Sequence, residues 1–303
     1  MLHNLAGVYA AALTPLKTDC SPDVDAIPGL LEFLERRGCH GALLLGTTGE
    51  GPSFSSGERI DIFRAAQEFK HLHPQFRLLA GTGTPSLTET IDLTQAAFSL
   101  GFDGVVVLPP YYFRKVDERG LLTWFGEVIN KAVPPGGYLL GYHIPPVTGI
   151  PFSLDLLANL KEAFPEKFAG IKDSSADANF ARALGERFGC ELLVLTGNDR
   201  LFKLALNSHA GGCITALANL YSPLLRKIWD ETQQLISPDE TQGKIDALRT
   251  VLDAYSPYPA ILKAMMAQQH GYPLWPVRPP LVPVQKAVSQ QAAREFFNAA
   301  KNI

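Results

Sequence analysis

The chain has 303 residues, 46% of them hydrophobic and 19% charged, with a formal net charge of -3. That balance gives ample material for a core, and the dispersed Lys and Arg leave no basic footprint for nucleic acid or a membrane surface. The opening run Met1–Thr14 is too short and too weakly charged for a secretory signal, and no apolar run reaches membrane-spanning length.

In chain order, short apolar runs alternate with helical patterns. The runs are 8–13, 41–45, 77–80, 104–108, 138–143, 168–172, 191–195 and 211–215. Ser21-Pro22 reads as the start of the first helix, with Ser as cap and Pro at the first helical position. Ser55-Ser56-Gly57-Glu58 and Ser86-Leu87-Thr88-Glu89 each read as a capping box. Further helical patterns cover 118–131, 153–163, 179–187 and 201–206, and Ser174 or the Asp residues near it can cap the helix after the sixth run. Near-continuous apolar strands imply burial on both faces, hence a parallel sheet. Eight such units predict an α/β fold of the (β/α)8 barrel type over residues 1–220, with an open doubly wound sheet as the alternative. From residue 221 the pattern turns helical, with starts at Ser222-Pro223 and at Ser237-Pro238-Asp239, a proline-rich connector between 273 and 283, and a last helix over 290–301. This is read as a helical extension, 221–303, packed on the barrel.

The four cysteines, Cys20, Cys39, Cys190 and Cys213, lie far apart. Free thiols in a reducing cytosol, and so a cytoplasmic protein, are the expectation. They lack zinc-site spacing, and no His, Asp and Glu cluster has metal-ligand spacing either, so neither metal nor cofactor is expected.

In such a barrel, reactive side chains stand at the carboxyl ends of the strands. Lys172 ends the sixth run. An ammonium that loses hydration there has a lowered pKa, and the free amine can attack a carbonyl to form a Schiff base; a surface lysine snorkelling from a strand end is the other reading. Gly46-Thr47-Thr48-Gly49-Glu50-Gly51 follows the second run and is either a cradle of donors for a carboxylate or a tight turn that needs glycine. Tyr111 and Tyr112 follow the fourth run, and Tyr142 stands near the end of the fifth. They are either core residues or groups able to move protons beside an amine. His143 is expected to face the barrel wall. Asp199 can bind a substrate hydroxyl or cap a helix.

The motifs Gly46-Thr47-Thr48-Gly49-Glu50, Pro110-Tyr111-Tyr112, Tyr142-His143-Ile144-Pro145 with Thr148-Gly149, and Gly170-Ile171-Lys172-Asp173 stand in the order of a known family. The chain resembles the pyruvate-dependent class I lyases: dihydrodipicolinate synthase, N-acetylneuraminate lyase and 2-keto-3-deoxygluconate aldolase. The resemblance implies Lys172 as the Schiff-base lysine, Tyr142 as proton donor and acceptor, and Thr47 and Thr48 as the carboxylate-binding pair, with Thr48 also relaying protons. It implies that Tyr112 enters a neighbouring subunit's site, that the carbonyl of Ile214 lines the wall, and that the protein is a homotetramer acting on a small 2-oxo acid and an aldehyde. Val147 stands where the synthases carry an arginine for the second substrate's carboxylate, and His143 where they commonly carry Asn. These departures favour a 2-keto-3-deoxy sugar acid as substrate. The synthase reaction, a sugar-acid dehydratase and a non-catalytic binding barrel are the alternatives.

Overall fold

The computed structural model describes residues 3–255 and 257–301. The barrel elements are β1 (Gly7–Ala11), α1 (Ile27–Arg36), β2 (Gly41–Leu44), α2 (Ser56–Leu72), β3 (Arg77–Gly81), α3 (Leu87–Ser99), β4 (Gly104–Val107), α4 (Glu118–Ala132), β5 (Tyr138–His143), a short α5 (Pro145–Thr148), α6 (Leu154–Ala163), β6 (Phe168–Asp173), α7 (Ala178–Phe188), β7 (Leu193–Thr196), α8 (Phe202–Asn207) and β8 (Gly212–Thr215). The extension comprises α9 (Ala218–Gln233), α10 (Asp239–Asp253), α11 (Tyr258–His270) and α12 (Lys286–Lys301). Eight parallel strands pair in sequence order, and β8 closes on β1. The (β/α)8 expectation holds, and with no sheet edge left open the doubly wound alternative falls away.

Alternation along the strands makes two cores. Tyr9, Leu43, Leu79, Val106, Leu140, Leu195 and Ile214 fill the barrel's interior. Val8, Ala10, Ala42, Leu44, Val105 and Val107 face the surrounding helices. Both faces of each strand are apolar, which is why the runs read as continuous. At β6 the alternation breaks. Leu139 pairs with Phe168 and Leu140 with Gly170, so β6 carries one extra residue against β5. That bulge resets the phase. Phe168 and Ile171 pack outward, while Ala169 joins the interior and Lys172 reaches it. The bulge depends on glycine, because a Cβ on Gly170 would lie 1.9 Å from the carbonyl oxygen of Leu193 on β7.

Several expected boundaries move. The first strand stops at Ala11, because the Leu13 N–H donates to the Asn219 side chain (3.2 Å) instead of to the sheet. Ser21-Pro22 opens no helix. Pro22 bridges back to Leu16 and the Lys17 N–H donates to Ser21 O (2.9 Å), so α1 begins five residues later with Pro28 in its first turn. The Ser55–Glu58 capping box forms in full. The Ser86 box forms by half, because the Glu89 carboxylate turns to the Ser56 hydroxyl. Helix α7 starts at Ala178, where Asp177 accepts from the N–H groups of Asn179 and Phe180; the residues from Ser174 to Asp177 are an irregular link with a bend at Ser175. The expected division between residues 220 and 221 falls inside α9, at a kink where Tyr221 leaves helical geometry (φ -128°, ψ 33°). Helix α11 escapes the sequence reading because Pro259 to Met266 are all buried, so no polar stripe marks its helical period. The last helix begins at Lys286, four residues before the expected start. Among the described residues no helix is long and apolar enough to cross a membrane.

Gly170→Ala should force β6 away from β7 and destabilise the fold by at least about 1–3 kcal/mol, the usual cost of overpacking a core. A urea titration of both proteins measures it; equal midpoints would show that the bulge absorbs a methyl group.

Candidate active site

Register and bulge together place Lys172 directly beside Tyr142 on β5. Lys172 is only 2% exposed, and its Nζ lies 4.1 Å from the centroid of the Tyr142 ring. The two side chains cap the apolar interior at the carboxyl ends of the strands. Among the described residues Lys172 makes no ion pair with a carboxylate. Its neighbour Asp173 faces the other way, where it accepts from the Ser175 N–H (3.0 Å) and lies 4.0 Å from His143 Nε2. The Tyr142 hydroxyl meets Thr47 Oγ1 at 3.2 Å. Burial alone raises the pKa of the Tyr142 phenol. The Lys172 charge, with hydrogen bonds from Thr47, Lys172 and Ser174, outweighs that and holds the group below its ordinary value. A phenol so placed exchanges protons readily with the amine beside it.

Thr47 and Thr48 stand on the turn after β2. Thr48 is buried, and Thr47 opens toward the mouth. Among the described residues, the backbone N–H groups of both have no backbone partner. Two hydroxyls and two free N–H groups on one turn form a set of donors for a carboxylate. Ile214 is buried on the interior face of β8. Val147 lies on α5, 54% exposed. Tyr112 is 76% exposed, edge-on to Phe113, at the mouth of β4.

Two expectations resolve differently. His143 is a wall residue as expected. Its Nδ1 accepts from the Phe152 N–H (2.9 Å) and its ring stacks on Phe180. Asp199 is fully buried and pairs with Arg249 Nη1 of α10 at 2.8 Å. The Asp199 carboxylate has no exposed surface, and a cation from the extension holds its Oδ2, which leaves Oδ1 as the atom for the expected contact with a substrate hydroxyl. It does not cap α8; the neighbouring Asn198 side chain accepts the Arg200 N–H.

A cavity of about 20 Å³, enough for roughly one water, lies beside Tyr142 and Thr47. Arg59 lines it. Arg59 is absent from the residues expected at the site, although the sequence carries a signal for it. On α2 it occupies the buried stripe with Ile62, Phe63 and Ala66 at helical spacing, where a guanidinium is out of place unless it has a task.

Residues 4–298 match the model of the dihydrodipicolinate synthetase family. The chain belongs to that family. It is therefore a lyase of the class I aldolase type. An uncharacterised DapA-like lyase of Chloroflexus aurantiacus is 37% identical over 296 residues, covering 97% of each chain. A 4-hydroxy-tetrahydrodipicolinate synthase of Methanococcus maripaludis is 31% identical over 216 residues, 71% of each. Among solved structures, YagE, a prophage protein of the dihydrodipicolinic acid synthase family from E. coli K12 crystallised with pyruvate, superposes with a TM-score of 0.90. It covers 98% of this chain and 99% of its own at 24% identity, which shows the shared fold. In this member of the family, the lysine, the tyrosine and the paired threonines of the expected motifs meet at one mouth.

Burial holds His143 well down, at about 4, against 6.5 for a free histidine. The unfolded chain therefore takes up a proton that the folded one refuses. The stability owed to neutral His143 is complete above pH 6.5 and is lost as the pH falls toward 4. His40, held at about 4 by burial with Arg226 and Arg77 nearby, adds to the same slope. Urea midpoints should fall between pH 6.5 and 5, and less steeply in His143→Gln. An unchanged slope in that variant would mean His143 does not stay neutral.

Proposed function

We propose that this enzyme captures a 2-oxo acid such as pyruvate as an imine on Lys172, and cleaves or condenses a 2-keto-3-deoxy sugar acid. The observation that carries this reading is a buried lysine amine 4.1 Å from the ring of a tyrosine whose hydroxyl is 3.2 Å from Thr47. Proton transfer within the Lys172–Tyr142 pair frees the amine for attack on the carbonyl carbon. Tyr142 then returns a proton to the departing hydroxyl, water leaves, and the imine forms. Removal of a proton from the methyl carbon gives an enamine, which adds to the aldehyde; the reverse sequence is aldol cleavage. Thr47 and Thr48 hold the carboxylate through hydroxyls and backbone N–H groups, and Thr48 also relays protons. Family membership and the pyruvate bound to YagE support this step. The Ile214 carbonyl lines the same wall.

The second substrate follows from Val147. A desolvated carboxylate without a hydrogen-bonded cation costs several kcal/mol. Valine offers no donor, and Pro146 before it has no N–H. A neutral hydroxy-aldehyde needs no cation there. The likeness to the Methanococcus synthase supports the other reading, condensation of pyruvate with aspartate semialdehyde, and Val147 weighs against it. In the proposed working form the protein is a cytoplasmic homotetramer, and the exposed Tyr112–Phe113 pair (76% and 69%) supports cover from a second copy, with Tyr112 reaching that copy's site.

Lys172→Ala should abolish turnover while keeping the far-UV circular dichroism of the wild type. Tyr142→Phe should slow turnover by about 10²–10⁴-fold, as for a lost acid–base group. Wild-type kinetics in either variant would remove that residue from the chemistry. A paired assay of glyceraldehyde and aspartate semialdehyde with pyruvate tests the substrate. Wild type should prefer glyceraldehyde in kcat/KM, and Val147→Arg should shift the ratio toward the semialdehyde by up to about 1.5–3 kcal/mol, the worth of a charged hydrogen bond. Efficient use of the semialdehyde by the wild type would overturn the sugar-acid assignment.

A further inference from the structure

The turn bearing Thr47 and Thr48 has a shape that its own residues resist. Leu45 and Glu50 bracket it, both at φ 56°, in the left-handed region that disfavours side chains. Strain of this kind persists only where the surroundings impose it. Within the turn the Glu50 N–H donates to Thr47 O (3.1 Å) and the Gly51 N–H to Gly46 O (3.1 Å), and Thr14 donates its hydroxyl to Gly49 O (2.6 Å).

The other hold comes from more than two hundred residues away. The Glu50 carboxylate accepts from Lys263 Nζ of α11 (2.5 Å) on one oxygen and from the Arg278 N–H (2.9 Å) on the other. Lys263 also donates to the carbonyl of Pro276 (2.7 Å), and both ionic side chains are fully buried. The Arg278 side chain donates to Ser53 O (2.8 Å) and to the Glu58 carboxylate, which fastens the far end of the same loop. For stability alone, an apolar pair of equal volume would serve as well as a buried ion pair. It would not direct a left-handed backbone two residues from Thr48.

We infer that Lys263 is a positioning residue for the carboxylate-binding turn: through Glu50, the C-terminal extension sets where Thr47 and Thr48 present their donors. The inference rests on the reading of Lys172 and the two threonines given above. It makes the extension a working part of the site, although none of its residues is assigned to touch substrate.

The test is borohydride trapping on Lys172 as a function of pyruvate concentration, in wild type, Glu50→Gln and the neutral double variant Glu50→Gln/Lys263→Met. Amide hydrogen exchange over residues 46–54 is read alongside. Phe296→Leu, in the core of α12, serves as a variant that lowers thermal stability without touching the turn. Both loop variants should stay folded, need about 10–100-fold more pyruvate for half-saturation with a smaller change in limiting rate, and exchange faster at 46–54. Phe296→Leu should lower Tm and leave half-saturation unmoved. Wild-type half-saturation and exchange in folded loop variants would overturn the inference. So would loss of the barrel's circular dichroism in both, which would make the pair a folding element only, and so would a fall in limiting rate with half-saturation unchanged. If the wild type forms no adduct, the imine reading itself fails, and exchange at 46–54 alone decides whether the extension shapes the turn.

Discussion

The arrangement depends on one extra residue in β6. In a closed parallel barrel every strand presents alternate side chains to the interior, and neighbouring strands fix each other's phase. With regular alternation, the set of β6 side chains that includes Ala169 would send Ile171 inward and Lys172 into the helical layer. The bulge reverses this. Ile171 joins the outer core, and the lysine arrives over the Tyr142 ring. Gly170 is the residue that lets β6 make this shift against the backbone of β7. The site's central pair is thus a consequence of strand register, held by a closed ring of hydrogen-bonded strands.

Electrostatics divide the mouth into a working part and an anchored part. Lys172 has an aromatic face and a phenol beside it and no carboxylate partner among the described residues, so its amine is not committed to an ion pair. Two carboxylates near the same loops pair with cations of the extension. Glu50 is held by Lys263, and Asp199 by Arg249. Arg249 also pairs with Asp253 and donates to the Tyr258 hydroxyl, which ties α10 to the start of α11. Two of the loops that form the mouth, after β2 and after β7, are therefore fastened by the helices that follow the barrel. Removing one partner of such a buried pair leaves a bare charge, at a cost of about 3–5 kcal/mol.

Strand positions and the four motifs were legible in the sequence because both rest on local order. A buried strand reads as an apolar run, and a motif is contiguous. The Ser55 capping box was legible for the same reason. The first helix start was not, because Ser21-Pro22 carries a cap signal and a proline that a reverse turn uses equally well. Helix α11 was hidden by its all-round burial. The anchoring of Glu50 and Asp199 was out of reach for another reason. Their partners lie 213 and 50 residues away, and nothing local distinguishes a carboxylate that waits for substrate from one that waits for a distant lysine or arginine. From the sequence, Asp199 reads as a possible ligand with no sign of its arginine, and Glu50 only as the end of a motif.

The site of covalent capture tests the role of Lys172 at its root. The wild type is incubated with pyruvate, reduced with borohydride, digested and mapped by mass spectrometry. Imine formation at Lys172 should leave a reduced pyruvate adduct on the peptide containing Lys172, no adduct at Lys263 or any other lysine, and no adduct in Lys172→Ala. An unmodified Lys172 peptide from enzyme trapped during turnover, or a pyruvate adduct on a different lysine, would contradict it.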